Sequence, residues 1–437
     1  MLRASIAAKA AWTQSPGRRK PGGEWEAPQG ATRLRQIDFE ISAMRCSNTA
    51  APEFRRARRS LLGAGLALLA VGSFMAGSAQ AGDSTGKDEG KLSSLCDLFD
   101  LATFYKGQEG SLIQSLATAG RLQADAVFYR EAPGREFDAL LWRRVYDGFE
   151  AKFRGGFTLH GEVEFDLNQR APLYQRITEA YLDWKSCDAF AIRIGKQSAP
   201  FTLDGKTSSR MLLVPERGLV ANNLWFPDNF YAGVTANGKI EGWNYNAGYF
   251  SSSGGKEFGD FDAGFFGLLS IGRDFAKQTG LSKAYLAVDY VHNGRDRNNF
   301  GTRDLSNVVS LNGKFEQGKF GIWTDLSFGD GYYKQSDLFG FVLTPFYNLT
   351  DKLQLVASYN HVASDRVNGV RLDRYENSIE TGRSNSSHEF FTGVNSYICG
   401  HKLKWQNGVE YTTARDEARD GGQYNGWGYT SAFRMYW

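Results

Sequence analysis

Cysteine is scarce in this 437-residue chain: Cys46, Cys96, Cys187 and Cys399 lie far apart, with no C-x-x-C pair among them. The spacing argues against a metal site or a disulfide framework. Cys46 falls in an N-terminal leader, and of the three that remain Cys187 and Cys399 are expected as free or weakly packed thiols. Cys187 and Cys399 fall in separate predicted turns, so no bond between them is expected. Histidine is also sparse, and His160, His292, His361, His388 and His401 form no H-E-x-x-H spacing. A G-x-S-x-G elbow and a Gly-rich phosphate loop are absent. No enzymatic activity, cofactor or metal is therefore expected. Long apolar runs are missing as well: the longest, Leu61 to Ala70, falls short of the ~20 residues of a membrane-spanning helix. If the rest of the chain enters a membrane, it must do so as strands. The formal net charge of +3 is a leader effect, because residues 1–81 carry 12 of the 51 Lys and Arg but 5 of the 48 Asp and Glu. The remainder is net acidic, which excludes a nucleic-acid partner.

The leader itself is legible. Arg55, Arg56, Arg58 and Arg59 precede the apolar run, and Ala79-Gln80-Ala81 supplies the small residues of a cleavage site, the pattern of a secretory signal peptide with Gly82 as the first mature residue. Such a cationic stretch normally opens a protein, so Met44 is expected as the true start. Arg58-Arg59 approaches a twin-arginine signal, but unfolded export is expected, since folded cargo cannot later be threaded into a bilayer as a barrel. Three segments follow: residues 1–81 as leader, 82–119 as a periplasmic linker with a short helix over Lys91 to Tyr105, and 120–437 as a β-barrel.

What the sequence has in abundance is Gly, at 50 residues, with 31 Phe, 20 Tyr and 10 Trp, as a barrel with many turns and aromatic girdles requires. Phe157, Leu159, Gly161, Val163 and Phe165 alternate with Thr158, His160, Glu162, Glu164 and Asp166, one apolar face against one charged face. The period recurs over 190–195 and 403–411. Tight links at 154–156, 186–188, 238–241, 316–318, 348–351 and 399–400 take turns with longer ones near 168–176, 199–228, 252–262, 294–304, 362–385 and 412–425. Short turns on one side and long loops on the other predict an all-β transmembrane antiparallel barrel of about 16 strands, with both ends on the periplasmic side. The last strand places Trp427, Tyr429, Phe433, Met435 and the terminal Trp437 on one face. An aromatic end of this kind suits lipid contact and is similar to the signal read by outer-membrane assembly machinery.

Such a barrel would serve as a diffusion pore, whose selectivity is set where charges crowd a constriction. The candidate constriction is the third long loop, Pro200 to Asp228, which can fold into the lumen and carries Lys206, Arg210 and Arg217. Arg193 lies on the lumen face of the preceding strand. Of the pair Arg143-Arg144, alternation points Arg144 inward and Arg143 outward. Guanidinium groups bind phosphate through paired hydrogen bonds, so these six residues are the candidate anion path. The same lumen faces carry Glu150, Glu162, Glu164, Glu179 and Asp183, and loop arginines also pair with carboxylates or with lipopolysaccharide phosphates.

Three stretches carry a family resemblance: Ile194-Gly195-Lys196-Gln197 with Pro200-Phe201; Thr207-Ser208-Ser209-Arg210 leading to Glu216-Arg217; and Gly400-His401-Lys402-Leu403-Lys404 with Gly408-Val409-Glu410-Tyr411. From about residue 120 onward the chain resembles the phosphate-selective porin O/P family. The resemblance implies a homotrimeric sixteen-stranded barrel in the Gram-negative outer membrane, with the third loop in the lumen and basic residues guiding small inorganic anions, phosphate or polyphosphate. It implies contact with outer-membrane lipid and lipopolysaccharide, and assembly through Trp437. The pair Arg143-Arg144 resembles the basic pair such porins carry in an early strand, and Arg210 and Arg217 fall in the eyelet loop. Two other readings stay open. One is a general, weakly selective porin. The other is a plugged barrel used as an adhesin or enzyme scaffold, for which the polar seventh loop with Asp373, Arg374 and Glu376 would offer surface contacts.

Overall fold

The computed structural model describes residues 95–437, apart from 133, 256, 260, 297, 300, 368 and 420. The expected leader, start and cleavage site lie outside the described residues. Sixteen strands follow in order: β1 (Ile113–Glu131), β2 (Glu136–Phe153), β3 (Phe157–Phe165), β4 (Tyr174–Cys187), β5 (Phe190–Ser198), β6 (Phe230–Ile240), β7 (Trp243–Ser251), β8 (Phe265–Asp274), β9 (Lys283–Asn293), β10 (Leu305–Gln317), β11 (Phe320–Gly331), β12 (Leu338–Asn348), β13 (Leu353–Ser364), β14 (Ser386–Tyr397), β15 (Leu403–Arg415) and β16 (Tyr424–Tyr436). Each pairs antiparallel with its sequence neighbours, and β16 returns to β1 in a ladder from Gly426↔Glu131 to Tyr436↔Arg121. The sheet is therefore a closed antiparallel barrel of the expected strand number, and closure removes the free edges that a flat sheet would expose.

The polarity of the wall is inverted relative to a water-soluble protein. Leu159, Ile194, Trp405 and Trp427 are exposed on the outer face, while their neighbours Glu162, Lys404 and Arg434 are buried toward the lumen. Period-two patterning makes this possible, because successive side chains point to opposite faces. At the β2–β3 link the backbone reverses within Arg154-Gly155-Gly156. Gly156 has φ 82°, and a Cβ there would lie 2.2 Å from the Lys185 carbonyl, so glycine is required.

The segment before the barrel departs from expectation. Of the helix expected over Lys91–Tyr105, the described part, from residue 95, is a 3-10 helix over Leu95–Ala102 followed by a short strand, Thr103–Lys106. That strand pairs with Ser115 to Ala117 of β1. β1 outruns β16, whose ladder stops at Arg121, and the extra strand satisfies backbone groups left bare by the stagger. The expectation for the cysteines is also corrected: Cys96 is bonded to Cys399, 303 residues away, and no cysteine among the described residues is free. Barrel closure brings the N-terminal segment beside the β14–β15 turn, a proximity that linear spacing cannot express.

Candidate functional site

The third long loop, residues 199–229, leaves the wall after β5 and fills the middle of the lumen. It carries two short helices, α1 (Leu203–Lys206) and α2 (Leu219–Leu224), the first capped by the Thr202 hydroxyl, which accepts from the Gly205 amide at 3.2 Å. The loop folds inward because it is apolar on one side. Phe201, Leu203, Leu219, Val220, Leu224 and Phe226 are buried against Val291, Leu305, Leu338, Val342 and Val362, lumen-facing residues of β9, β10, β12 and β13. Polar contacts pin it elsewhere. The Leu203 amide donates to Asp325 at 2.6 Å, Lys206 pairs with Asp289 at 3.1 Å, and Asn395 and Lys404 donate to the Leu213 and Leu212 carbonyls at 2.7 and 2.6 Å. Arg434 and Arg121 reach it from β16 and β1, donating to the Pro215 carbonyl at 3.0 Å and to Ser209 at 2.9 Å.

Glu216 is the loop's electrostatic hub. Its carboxylate accepts from Arg143 at 2.7 Å and from Arg144 at 3.0 and 3.1 Å, and Arg434 stands 3.7 Å away. Burial alone would raise the Glu216 pKa, but Arg143, Arg144 and Arg434 override it and hold the carboxyl well below its ordinary range. The expectation that Arg143 faces outward is corrected. The β1–β2 register runs Gln123↔Arg144 and then Ala124↔Trp142, leaving Arg143 as the extra residue of a β-bulge. A bulge resets the alternation of its strand, so two consecutive arginines both reach Glu216. Arg217 donates to the Asp204 and Thr207 carbonyls, each at 2.9 Å, and lies 4.6 Å from the Trp225 ring centre. Burial, reinforced by Arg144, draws its pKa down to about 10, which leaves it charged at neutral pH. Among the described residues it forms no ion pair with a carboxylate, so its charge is available to a solute.

Two cavities flank the loop. One, of about 200 Å³, lies on the side of the long loops and is bounded by residues 373–376; the other, of about 380 Å³, faces the tight turns and is bounded by Arg193, Asn237 and Asn246. They share four lining residues: Arg144, Arg217, Trp225 and Asn229. Of the six residues singled out in the sequence, Arg143 lines the outer cavity, Arg193 and Lys206 the inner one, and Arg144 and Arg217 both. Arg210 lines neither. Its guanidinium lies 5.0 Å from the Tyr436 ring centre and 3.6 Å from Glu162. Arg193 is paired with Asp183 at 3.0 Å and stacked over Tyr181.

Sequence reasoning passed over several lining residues. Arg121 borders the inner cavity and is held by both oxygens of Glu162 at 3.0 and 3.1 Å. Arg303 and Arg374, together with Asp373, Glu376, Glu389 and Glu410, border the outer cavity. Arg434, buried and paired with Asp125, had a usable signal: it is the sole charged residue of an otherwise neutral terminal strand, and an ionisable residue in a membrane-spanning segment calls for a partner. The outer-cavity residues had none, since Asp373, Glu376 and Arg374 sit in a polar loop that reads as solvated.

The fold is similar to that of two solved outer-membrane proteins. One is a loop-deletion mutant of OmpT from Vibrio cholerae, with TM-score 0.51 and 17% identity over 75% of this chain and all of that one. The other is OmpF of Salmonella typhi in complex with daunomycin, with TM-score 0.51 and 12% identity over 74% of this chain and 98% of that one. An uncharacterized protein of Aquifex aeolicus strain VF5 is 24% identical over 333 residues, 63% of this chain and 73% of that protein. Residues 116–315, which run from β1 through loop 199–229 to the end of β10, match the model of the family described as phosphate-selective porin O and P.

Proposed function

We propose that this protein forms a passive outer-membrane pore for small anions, phosphate or polyphosphate among them, with no enzymatic chemistry of its own. The match of residues 116–315 to a porin family supports an outer-membrane channel. The observation that supports anion preference is that both cavities meet at Arg144 and Arg217, with Trp225 and Asn229 completing the contact. The inner cavity adds Arg121, Arg193 and Lys206, each paired with a carboxylate, Glu162, Asp183 and Asp289, so the positive charge left for a passing anion is chiefly that of Arg217, which forms no ion pair among the described residues. The pore works as a homotrimer whose outward aromatic face contacts lipid and lipopolysaccharide, and Trp437 serves as the assembly signal. Hydrogen bonds of 3.2 Å in both directions between Trp437 and Gly120 join the last residue to the first strand, which supports that role.

The test is the reversal potential of the refolded protein in planar bilayers under a salt gradient, followed by titration of phosphate against chloride current. Chloride-directed reversal with block by phosphate supports the specific pore. Open channels with weak or cationic selectivity leave a general porin. One observation favours the plugged-barrel reading: loop 199–229 is tied to β1, β9, β11 and β14 to β16 at once. Ion-tight bilayers containing correctly folded protein would decide for that reading.

A further inference from the structure

Loop 365–385 arches over the outer cavity from a two-residue ladder, Val370–Arg371 with Arg383–Ser384. It brings Asp373 and Glu376 down onto Glu389 of β14 and Glu410 of β15, and all four carboxyl groups line the cavity. Asp373 is in hydrogen-bonding contact with Glu389, and Glu376 with Glu410. Neutral donors complete the cluster, Asn360 to Glu389 at 2.6 Å and Thr412 to Glu376 at 2.9 Å. Among the described residues, none of the four carboxylates is bridged by a lysine or arginine. Two carboxylates in contact repel unless they hold a proton between them.

The surrounding groups do not replace that proton. Facing the cluster are Glu216 and Asp204 from loop 199–229, Tyr129 of β1, Tyr424 of β16, Arg143 and Arg144 of β2, Arg303 from the loop before β10, and Arg374 and Tyr375 of the arch itself. Arg143 and Arg144 are committed to Glu216, and Arg303 donates to Asn222. Burial raises the Asp373 pKa; the hydrogen bond with Glu389 opposes the rise, and Glu376, Glu410 and Glu216 add to it.

We propose that loop 365–385 is a proton-latched cover of the outer cavity, closed while the pairs Asp373/Glu389 and Glu376/Glu410 each share a proton and lifted when both members of a pair ionise. The latch needs protons, so closure holds from acid to neutral pH and is lost as pH rises. The roots of the loop stay fixed, since Asn222 and Asn223 donate to the Leu372 and Arg371 carbonyls at 2.6 and 2.8 Å, and Arg135 holds Glu380 at 2.9 Å. The moving part is residues 373–379, and its lifting also breaks the hydrogen bond that the Tyr375 hydroxyl donates to Asp125 of β1. This regulation concerns the pore proposed above, but the latch can be tested without current.

The test is amide hydrogen exchange of residues 373–379 in the micelle-refolded protein, measured from pH 6 to 9.5 against D373N/E376Q, whose amides hydrogen-bond to Glu389 and Glu410 without a shared proton. Comparing the two at each pH cancels the intrinsic pH dependence of exchange. The native-to-variant ratio is expected to stay near unity at pH 6 and to rise on the order of tenfold for each pH unit above the latch's ionisation, per proton shared. A ratio that stays flat to pH 9.5 overturns the latch. The native protein gives a second readout: conductance should step upward over the same interval, and unchanged conductance beside rising exchange would show a cover that does not gate. A cation-selective channel that still shows the exchange step would sink the anion reading and leave the latch standing.

Discussion

At the scale of single residues, the constriction depends on how one carboxylate is neutralised. Glu216 takes ion pairs from Arg143 and Arg144 and faces Arg434, so the charge these arginines offer a solute is partly spent within the protein. Removing one partner of a buried ion pair leaves the other uncompensated, at a cost of about 3–5 kcal/mol. Glu216→Gln should therefore lower the unfolding midpoint in denaturant titrations of the micelle-bound barrel while moving reversal potentials further toward chloride. Because the folded-state pKa of Glu216 is depressed, its stabilisation is present above the ordinary carboxylate range and is lost as pH falls toward the folded value. Loop 199–229 should thus detach in acid and not in base. Arg144→Ala and Arg217→Ala should each shift the reversal potential toward cations, and Arg217→Ala should do so with less loss of stability, since it breaks no ion pair. A shift of equal size from Arg210→Ala, which lines neither cavity, would show that the narrowest point lies elsewhere. The inward turn of Arg143 could not be read from its own strand, because a bulge is a property of two strands in register.

At the scale of elements, the apolar side of loop 199–229 and the apolar lumen patch of β9 to β13 need each other. A lumen wall exposed to water would not carry Val291, Val342 and Val362 without a covering element, and the loop's Leu219, Val220 and Leu224 supply it. Leu224 is fully buried in that contact. Truncation of a buried leucine to alanine costs about 2–5 kcal/mol. Leu224→Ala should accordingly leave the barrel assembled but raise open-channel current noise as the loop samples detached positions. Quiet current at wild-type amplitude would show that the polar pins alone hold the loop. Strand positions and the site of the long loop were legible in the sequence, since each follows from a local period of two and from turn residues. The α1 and α2 helices were not, because four and six residues are too few for helical periodicity to declare itself.

At the scale of the whole molecule, closure joins the first and last strands of the barrel. β16 pairs with β1, and the Cys96–Cys399 bond fastens the segment before the barrel to the β14–β15 turn. A crosslink between residues so distant in sequence stabilises chiefly by restricting the unfolded chain, typically by about 2–4 kcal/mol. Cys96→Ser should lower the thermal midpoint of the barrel, and adding a reductant to the native protein should reproduce the shift. If the two proteins melt together under oxidising conditions, the bond contributes nothing to barrel stability.

The sequence alone determined that the chain is a barrel: alternating polarity, short and long links in turn, and an aromatic terminal strand are local patterns that need no knowledge of neighbours. It also determined that basic residues gather in the third long loop. Only the tertiary structure decided which charges meet. The bulge that turns Arg143 inward, the pairing of three arginines around Glu216, the four carboxylates beneath loop 365–385 and the Cys96–Cys399 bond all depend on the register of strands far apart in the chain. That register is set by closure of the whole sheet and is not encoded in any one segment.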